Sequence, residues 1–366
     1  MNIPMVDLKQ QYHELKAEID SGMLEALANT QFILGPEVQK LEKSAAEYLG
    51  VKHAIGVASG TDALHLALNA AGIGPGDEVI TTPFTFIATA ESISFVGAKP
   101  VFVDIDPDTF NIDLKQIEAA ITSKTRAVIP VHLFGQPVDM SELSAICTKH
   151  DLKIIEDCAQ SFGAHINGTQ TGAFGDFGAF SFFPSKNLGA FGDGGLITTS
   201  SDTYADKVKY LRNHGMSVRY HHTMLGFNSR LDELQAVILN IKLKHIDSYN
   251  QNRRRVAKTY RDFLADTAVQ TPVEDGIGLH VYHQYTCLHP MRDAIIKSLN
   301  DAGIASAIYY PIPLHRQDVY AEDYANIHLP NAEATAEKCF ALPIYPELEE
   351  DKIKTVTDTI KLALND

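Results

Sequence analysis

The sequence predicts an α/β protein whose large domain has a mostly parallel sheet between helices, with a smaller α+β domain at the carboxyl end. From about residue 36, short β-branched runs alternate with segments of helical periodicity, which is typical of strands joined by crossover helices. Beyond about residue 265 this alternation is replaced by a strand, a helix, a strand and two helices. We expect residues 1–245, with an N-terminal helical segment, to form the large domain and residues 246–366 the small one.

The predicted elements of the large domain follow in order along the chain. A helix begins at Pro36 and ends at Gly50, because proline is favoured at the start of a helix and glycine after its end. Apolar runs rich in β-branched residues predict buried parallel strands, and the amphipathic segments between them predict helices. The strands are HAIGVA (53–58), DEVITT (77–82), KPVFVDI (99–105), RAVIPVHLF (126–134), LKIIEDC (152–158), GAFSFF (178–183) and GGLITTS (194–200), and two of the helices are DALHLALNAAG (62–72) and DMSELSAICTKH (139–150).

A long helical stretch over about 230–265 contains the predicted domain boundary. The small domain is then predicted to consist of a strand within VEDGIGLHVYHQYTCLHP, the helix RDAIIKSLNDAG, the strand IASAIYYPI, and helices near 331–340 and 349–364.

The composition weighs against several classes of function. Lysine and arginine number 31 against 46 acidic residues, and the net charge of −15 repels nucleic acids and anionic membranes. The four cysteines lie far apart, without CxxC or the Cys/His spacing of a zinc site. No apolar run approaches the ~20 residues of a membrane span, and the first residues do not read as a signal peptide. We expect a cytoplasmic protein that uses no metal and has neither nucleic acid nor membrane as a partner.

Lys186 is the first candidate for chemistry. It follows the strand GAFSFF and precedes a loop with four glycines between residues 189 and 195. Most lysines of folded proteins lie at the surface, and this is the alternative for Lys186. Here the phenylalanines of the strand place the segment near the core, where the ammonium form is disfavoured, and a neutral lysine suits Schiff-base chemistry.

Two further segments supply acidic and anion-binding groups. The strand LKIIEDC delivers Glu156 and Asp157 to the carboxyl edge of the sheet, where ligands bind in open α/β folds. An acidic residue at that point is also a common helix N-cap. Ser59, Gly60 and Thr61 lie at a predicted helix N-terminus, which is a ready anion site.

Asp157 precedes Lys186 by about thirty residues. This spacing is a pattern of pyridoxal-phosphate enzymes, in which a carboxylate faces the pyridinium nitrogen.

A series of motifs runs in order through essentially the whole chain: VDLKQQY, ILGPEV, ASGTDALHLAL, GPGDEVITTPFTFIATAESI, IPVHLFGQPVDM, IEDCAQSFGA, SFFPSKNLGAFGDGG, RNHG, GFNSRLDELQA and YYPIPLHRQ. With these motifs the chain resembles the DegT/DnrJ/EryC1/StrS family of nucleotide-sugar aminotransferases. The resemblance implies fold type I of the pyridoxal-phosphate-dependent transferases, with pyridoxal 5′-phosphate as cofactor. It implies that an amino group moves from an amino acid, most often L-glutamate in this family, to a nucleotide-linked keto sugar in amino sugar and polysaccharide biosynthesis.

The resemblance also implies roles for individual residues. Lys186 is similar to the Schiff-base lysine, Asp157 to the partner of the pyridinium nitrogen and Gln160 to the residue beside the cofactor's phenolic oxygen. Phe86 matches the aromatic residue that stacks on the pyridine ring, although a core phenylalanine is the alternative. The phosphate cradle is matched by Gly60, Thr61 and Ser181, and by Asn228, which in the family reaches the phosphate from the other subunit of a homodimer but is otherwise a turn asparagine.

Candidates for the nucleotide sugar come from two segments. Arg230 could hold a diphosphate or a sugar carboxylate in a bidentate grip, or pair at the start of the long helix. The remaining candidates are Tyr220, His221 and His222 of the YHH run, and Tyr309, Tyr310 and His315 of YYPIPLH, all of which could simply pack.

Alternatives remain at the level of the reaction. Family members with YHH before NSRLDELQA tend to aminate carbon three of the sugar, which favours a UDP- or dTDP-3-keto sugar over a 4-keto sugar; the small Ser229 would open space near the phosphate. A dehydratase of the same family carries histidine in place of Lys186, and a non-enzymatic regulator would have lost Lys186, Asp157 or the cradle. A nicotinamide dehydrogenase is disfavoured because GIGPGD (72–77) does not have the GxGxxG spacing.

Overall fold

The structure is a computed structural model that describes residues 2–365. The helices are α1 (Leu8–Asn29), α2 (Pro36–Leu49), α3 (Gly60–Ala71), α4 (Ala88–Phe95), α5 (Leu114–Ala120), α6 (Met140–Lys149), α7 (Asp202–Leu211), α8 (Glu233–Leu243), α9 (Ile246–Leu264), α10 (Arg292–Asp301), α11 (Asp318–Ala321), α12 (Pro330–Lys338) and α13 (Glu350–Asn365). The strands are β1 (His53–Val57), β2 (Glu78–Thr81), β3 (Lys99–Phe102), β4 (Thr125–Val128), β5 (Lys153–Asp157), β6 (His165–Ile166), β7 (Thr169–Gln170), β8 (Phe177–Ser181), β9 (Gly195–Thr199), β10 (Met216–Val218), β11 (His221–His222), β12 (Tyr285–Leu288) and β13 (Cys339–Leu342).

A seven-stranded sheet in the order β1-β9-β8-β5-β4-β2-β3 forms the centre of the protein. The pairs from β8 through β5, β4 and β2 to β3 are parallel, whereas β9 is antiparallel to both β1 and β8. Its central strands are buried on both faces, which agrees with the continuous apolar runs that predict them. The predicted α/β class with a mostly parallel sheet is confirmed.

The carboxyl edge of this sheet collects the segments that the sequence singles out. Strands β5 and β8 end there at Asp157 and Ser181, and the antiparallel β9 begins there at Gly195, which pairs with Ser181. Helix α3 begins just beyond β1, with Ser59 as its N-cap, whose side chain accepts a hydrogen bond from the Asp62 amide at 3.0 Å. The N-terminus of α3 therefore opens at the same edge as Asp157.

Three predicted elements differ from the structure, and the first is RAVIPVHLF, whose strand β4 already ends at Val128. The helical stretch over 230–265 is divided into α8 and α9 at Lys244 and His245. The segment IASAIYYPI forms no strand in the described chain; only Ile304 and Ala307 make isolated bridges, to Ile3 and Ala341 respectively. The local sequence does not reveal the break, which no proline or glycine marks, or the missing strand, because pairing of IASAIYYPI depends on other parts of the chain.

The carboxyl-terminal part has a hydrophobic core of its own. Helices α9, α10 and α13 pack around the two-stranded sheet β12-β13, and Ile3 from the other end of the chain lies in the same buried cluster. The division of the chain at residue 245 stays a prediction. Within residues 2–365, no helix combines the length and the apolar character that a membrane span requires.

Candidate active site

A cavity of about 410 Å³ lies at the carboxyl edge of the sheet. It is bounded by the N-terminus of α3, the ends of β5 and β8, and the segment just before α4. Ten of the residues that the sequence singles out line it: Ser59, Gly60, Thr61, Phe86, Asp157, Gln160, Ser181, Lys186, Tyr309 and Tyr310.

Lys186 lies on a tight turn after β8. Its backbone N–H donates to the Phe183 carbonyl at 2.8 Å, and the loop beyond it returns so that the Ala190 amide donates to the Phe182 carbonyl at 2.8 Å. Burial lowers the pKa of the Lys186 amine to about 8, although the nearby Asp157 carboxylate opposes this shift. A lysine in this state is partly neutral near physiological pH and can act as a nucleophile.

Asp157 and Glu156 are adjacent in β5 but face opposite sides of the sheet. Asp157 lines the cavity, and its carboxylate accepts hydrogen bonds from the Thr89 hydroxyl at 2.8 Å and the Ala159 amide at 3.1 Å. Burial raises the pKa of Asp157, while these hydrogen bonds and the charge of Lys186 act against that increase. Asp157 is therefore the carboxylate available to a bound group.

The Glu156 carboxylate is fully engaged in structural hydrogen bonds. Its carboxylate accepts from the amides of Gly172, Phe174 and Gly175 at 2.8–2.9 Å and lies 3.0 Å from His132 Nε2. Because His132 Nδ1 accepts from the Val138 amide at 3.0 Å, Nε2 is the protonated nitrogen and donates to Glu156. Cys158 lies beside this pair, but both histidine nitrogens are already engaged, so the group has no histidine ligand left to offer a metal ion.

The anion cradle is formed where α3 approaches β8. A Cβ atom placed on Gly60 would lie 2.7 Å from the Ser181 Cβ, so only glycine permits this approach. Thr61 follows at the second position of the helix, where free backbone N–H groups and the positive end of the helix dipole meet. This arrangement suits a phosphate group.

Gln160, Tyr310 and Phe86 also line the cavity. The Gln160 side chain accepts from the Phe134 amide at 2.6 Å and donates to the Tyr310 hydroxyl at 3.1 Å. Phe86 is 57% exposed, and its ring centroid is 6.5 Å from that of Tyr310. Phe86 is therefore not a core phenylalanine, which is the alternative to its predicted role. The neighbouring Phe84 is fully buried and does belong to the core.

Six of the residues predicted to bind phosphate or nucleotide sugar do not line this cavity: Asn228, Arg230, Tyr220, His221, His222 and His315. Asn228 is exposed, and Arg230 donates from Nη1 to the Asn213 side chain at 3.1 Å. Tyr220, His221 and His222 are exposed on the β10-β11 hairpin. His315 is fully buried with its Nε2 2.9 Å from a Glu333 carboxylate oxygen, so the structure gives it a packing role and not contact with the cavity.

The sequence suggests that the small Ser229 opens space near the phosphate. The structure shows instead that Ser229 leaves no open space near the cradle. It is buried, its hydroxyl donates to the Asp62 carboxylate at 2.6 Å, and it accepts from the Ala58 amide at 3.2 Å. The serine therefore ties the segment that carries Asn228 to the N-terminus of α3.

Several residues of the cavity are absent from the sequence-based prediction. Thr89 contacts Asp157 from α4, and His283 and Gln284 reach the cavity from the segment before β12. Thr89 lies within the quoted motif PFTFIATAES, yet nothing in the motif singles it out. His283 and Gln284 are separated from Lys186 by almost one hundred residues, so only the tertiary structure brings them together.

The fold of this chain is the fold of a class of enzymes, the pyridoxal-phosphate-dependent aminotransferases. The structure of DesV from S. venezuelae in complex with a ketimine intermediate superimposes with a TM-score of 0.96 at 41% identity, covering 99% of this chain and 98% of that chain. The chain belongs to the DegT/DnrJ/EryC1/StrS aminotransferase family, whose model matches residues 13–361.

Relatives in this family extend over the same length. A UDP-N-acetyl-3-dehydro-alpha-D-glucosamine 3-aminotransferase of Acidithiobacillus ferrooxidans is 50% identical over 363 residues, which is 99% of this chain and 98% of that protein. A pleiotropic regulatory protein of Geobacillus stearothermophilus is 51% identical over 364 residues, covering 98% of each chain. The predicted family is confirmed, and with it an enzyme class of sugar transaminases.

Proposed function

We propose that the protein transfers an amino group from L-glutamate to a nucleotide-linked 3-keto sugar with pyridoxal phosphate as cofactor. The observation that carries this proposal is one cavity in which the amine of Lys186, the carboxylate of Asp157 and the anion cradle at Gly60 come together. A regulator that had lost the chemistry would not need all three.

The residues of the cavity fit pyridoxal phosphate. The cradle between α3 and β8 would hold the phosphate, since a side chain at Gly60 would fill it. Phe86 offers an exposed aromatic face for the ring, and Gln160 lines the same cavity. When bound, the cofactor supplies an electron sink for bond breaking at the amino-bearing carbon.

Lys186 performs two tasks in this proposal. Its amine would hold the cofactor covalently while no substrate is bound. Once released, the same amine can take a proton from one carbon and return it to another, because its pKa of about 8 allows both protonation states near neutral pH. A histidine at this position, as in the dehydratases, could not form the covalent bond.

Asp157 would keep the ring nitrogen of the cofactor protonated. An ionised carboxylate stabilises a facing positive charge strongly in a buried site. Thr89 and the Ala159 amide stabilise the ionised form through their hydrogen bonds, and they fix the direction in which the carboxylate points.

A 3-keto sugar is favoured over a 4-keto sugar. The support is the 50% identity to a relative named as a 3-aminotransferase of a UDP-sugar, together with the YHH and NSRLDELQA motifs. Arg230 is the candidate for the diphosphate or for a sugar carboxylate.

A homodimer with shared active sites is part of the proposal. Asn228 and Arg230 lie outside the cavity of their own chain, and several large apolar side chains near the cavity or the hairpin are exposed: Phe86, Phe183, Phe191, Leu225 and Phe227. A second copy would cover such side chains and bring Asn228 to the neighbouring cradle.

The four cysteines are buried and free, which supports the cytoplasmic location expected from the sequence.

The test is a panel of matched 3-keto and 4-keto sugars linked to UDP or dTDP, each incubated with the enzyme, pyridoxal phosphate and glutamate. NMR of the product locates the new amine. We expect amination at carbon three. Amination confined to carbon four would overturn the proposed substrate, and no amination of any sugar would overturn the proposed function.

A further inference from the structure

The turn that carries Lys186 is closed by a return arm, residues 189–191, which packs on the residues before the lysine. One amide of this arm donates to the Phe182 carbonyl at 2.8 Å. A Cβ atom at Gly189 would clash with the Pro184 carbonyl oxygen, so the backbone of the arm is in direct contact with the segment that leads to Lys186. Lys186 therefore follows any displacement of the return arm.

Helix α8 holds the return arm with two side chains. Gln235 Oε1 accepts from the Phe191 amide at 2.8 Å, and Lys242 Nζ donates to the Gly189 carbonyl at 2.8 Å. Residues that are seven positions apart lie on the same face of a helix, so one face of α8 supplies both contacts. The Lys242 ammonium group also lies 4.5 Å from the centroid of the Phe191 ring, which is within the range of a cation–π contact.

Lys242 is an unusual residue for the interior of a protein. It is 1% exposed, and no carboxylate of residues 2–365 forms an ion pair with its ammonium group. Burial lowers the pKa of Lys242 to about 8, although the charge of Glu347 acts against this shift. A buried ammonium group without an ion-pair partner is unfavourable for folding. The contacts that stabilise it are the Gly189 carbonyl and the Phe191 ring, and both belong to the return arm.

We propose that Gln235 and Lys242 are positioning residues for amino transfer, which hold the return arm and thereby place the amine of Lys186 in the cavity. Neither residue lines the cavity, so each acts through the turn and not on a bound molecule. Placement matters because a reacting group that is displaced by about 1 Å can lose on the order of 10²-fold in rate. This inference rests on the proposed function, because it concerns the lysine of the same site.

Three substitutions on α8 separate this role from a contribution to stability alone. Lys242→Met and Gln235→Met keep the approximate size of each side chain and remove its hydrogen bond to the return arm. Asn240→Leu is the matched control. The Asn240 side chain is 6% exposed and donates to the carbonyl and the carboxylate of Glu37 at 2.9 and 2.8 Å. All three variants lose a polar contact of α8, but the control leaves the return arm unchanged.

Amide hydrogen exchange of the cofactor-free proteins, followed by mass spectrometry, reports on the turn directly. We expect the amides of Lys186 and Ala190 to exchange faster, on the order of tenfold, in Lys242→Met and Gln235→Met, because the return arm is held less firmly. Both amides should exchange at the wild-type rate in Asn240→Leu. Amides of α13 serve as the reference for opening of the whole protein, and their exchange should not follow that of the turn.

The half-reaction of the cofactor-loaded proteins with glutamate gives the second measurement. We expect its limiting rate to fall on the order of 10- to 100-fold in Lys242→Met and in Gln235→Met, because the amine of Lys186 is misplaced. The glutamate concentration at half-saturation should change little, since the residues that line the cavity are intact. Asn240→Leu should keep the wild-type rate.

A wild-type rate in either methionine variant, an equal loss of rate in Asn240→Leu, or a slower reaction without faster exchange at the turn would each overturn the inference. If Lys242→Met does not fold, Gln235→Met decides, with the same expected and contrary results. The exchange measurement uses neither cofactor nor substrate, so it does not depend on the proposed reaction. Failure of the loaded wild-type protein to react with glutamate would instead contradict the proposed function.

Discussion

Neighbouring acidic residues in β5 differ in role because successive side chains of a strand face opposite sides of the sheet. Glu156 satisfies three backbone amides and His132, whereas Asp157 lines the cavity. Substitution of each acid by its amide therefore separates stability from chemistry.

Asp157→Asn should retain the fold and lower the rate of amino transfer on the order of 10²-fold or more, because a preorganised charge is lost from the site. Glu156→Gln should lower the free energy of unfolding by about 2 kcal/mol, because a charged acceptor of buried hydrogen bonds is lost. Urea unfolding and the glutamate half-reaction measure the two effects. A reversed pattern, with Glu156→Gln impairing the chemistry and Asp157→Asn the stability, would contradict the assignment of the two carboxylates.

The pKa of Lys186 predicts how cofactor capture depends on pH. Burial lowers this pKa from its usual value of 10.5 to about 8. Only the neutral amine attacks an aldehyde, so the capture rate should rise as pH increases through about 8 and then level off. Lys186→Ala is the control and should capture no cofactor covalently. A rise that continues to the ordinary lysine range would show that the cavity does not desolvate the amine.

At the scale of elements, the site depends on the contact between the N-terminus of α3 and the end of β8. The contact requires glycine at position 60, since an added Cβ would lie 2.7 Å from the Ser181 Cβ. Gly60→Ala should push the helix away from the strand at a cost of about 1–3 kcal/mol, and the Kd for pyridoxal phosphate should rise on the order of tenfold.

Gly74→Ala is the matched control for this substitution. The atom closest to a Cβ at Gly74 is the Val96 carbonyl oxygen at 3.8 Å, which is an ordinary contact, and Gly74 does not line the cavity. Cofactor titration of the two variants provides the comparison. Equal affinities would mean that the α3–β8 contact does not shape the cradle.

Local patterns predict some elements and fail on others for physical reasons. The runs that form β5 and β8 contain consecutive buried residues because both faces of the sheet are covered, so their apolar centres stand out in the sequence. IASAIYYPI is also rich in apolar residues, yet it makes only isolated bridges, to Ile3 near the start of the chain and to Ala341 in β13. The break between α8 and α9 at Lys244 and His245 has no proline or glycine to announce it.

At the scale of the whole molecule, the residues of the site fall into two groups. Lys186, Asp157 and Gly60 follow strands or begin a helix, so the pattern of strands and helices alone predicts that they meet at one edge of the sheet. His283 joins them only through the packing of distant segments. Asn228 does not join them within one chain, and a role for it at the cradle requires a second subunit.

Complementation between inactive chains tests the shared site. Lys186→Ala and Asn228→Ala proteins are each expected to be inactive or nearly so, and mixing them should restore activity. In a mixed dimer, one of the two sites draws an intact lysine from one chain and an intact asparagine from the other. The subunits are mixed and dimer formation is followed by light scattering. Mixed dimers without activity, or a fully active monomer, would contradict the shared site.

The central claim is that Lys186 carries out amino transfer from glutamate to a nucleotide sugar. Its most direct test supplies the enzyme with pyridoxal phosphate, ¹⁵N-glutamate and a UDP-linked 3-keto sugar, and measures the mass of the nucleotide sugar. The account predicts a product with one ¹⁵N amine from the wild-type protein and none from Lys186→Ala. An unlabelled sugar from the wild-type protein, or labelling that survives Lys186→Ala, would contradict it.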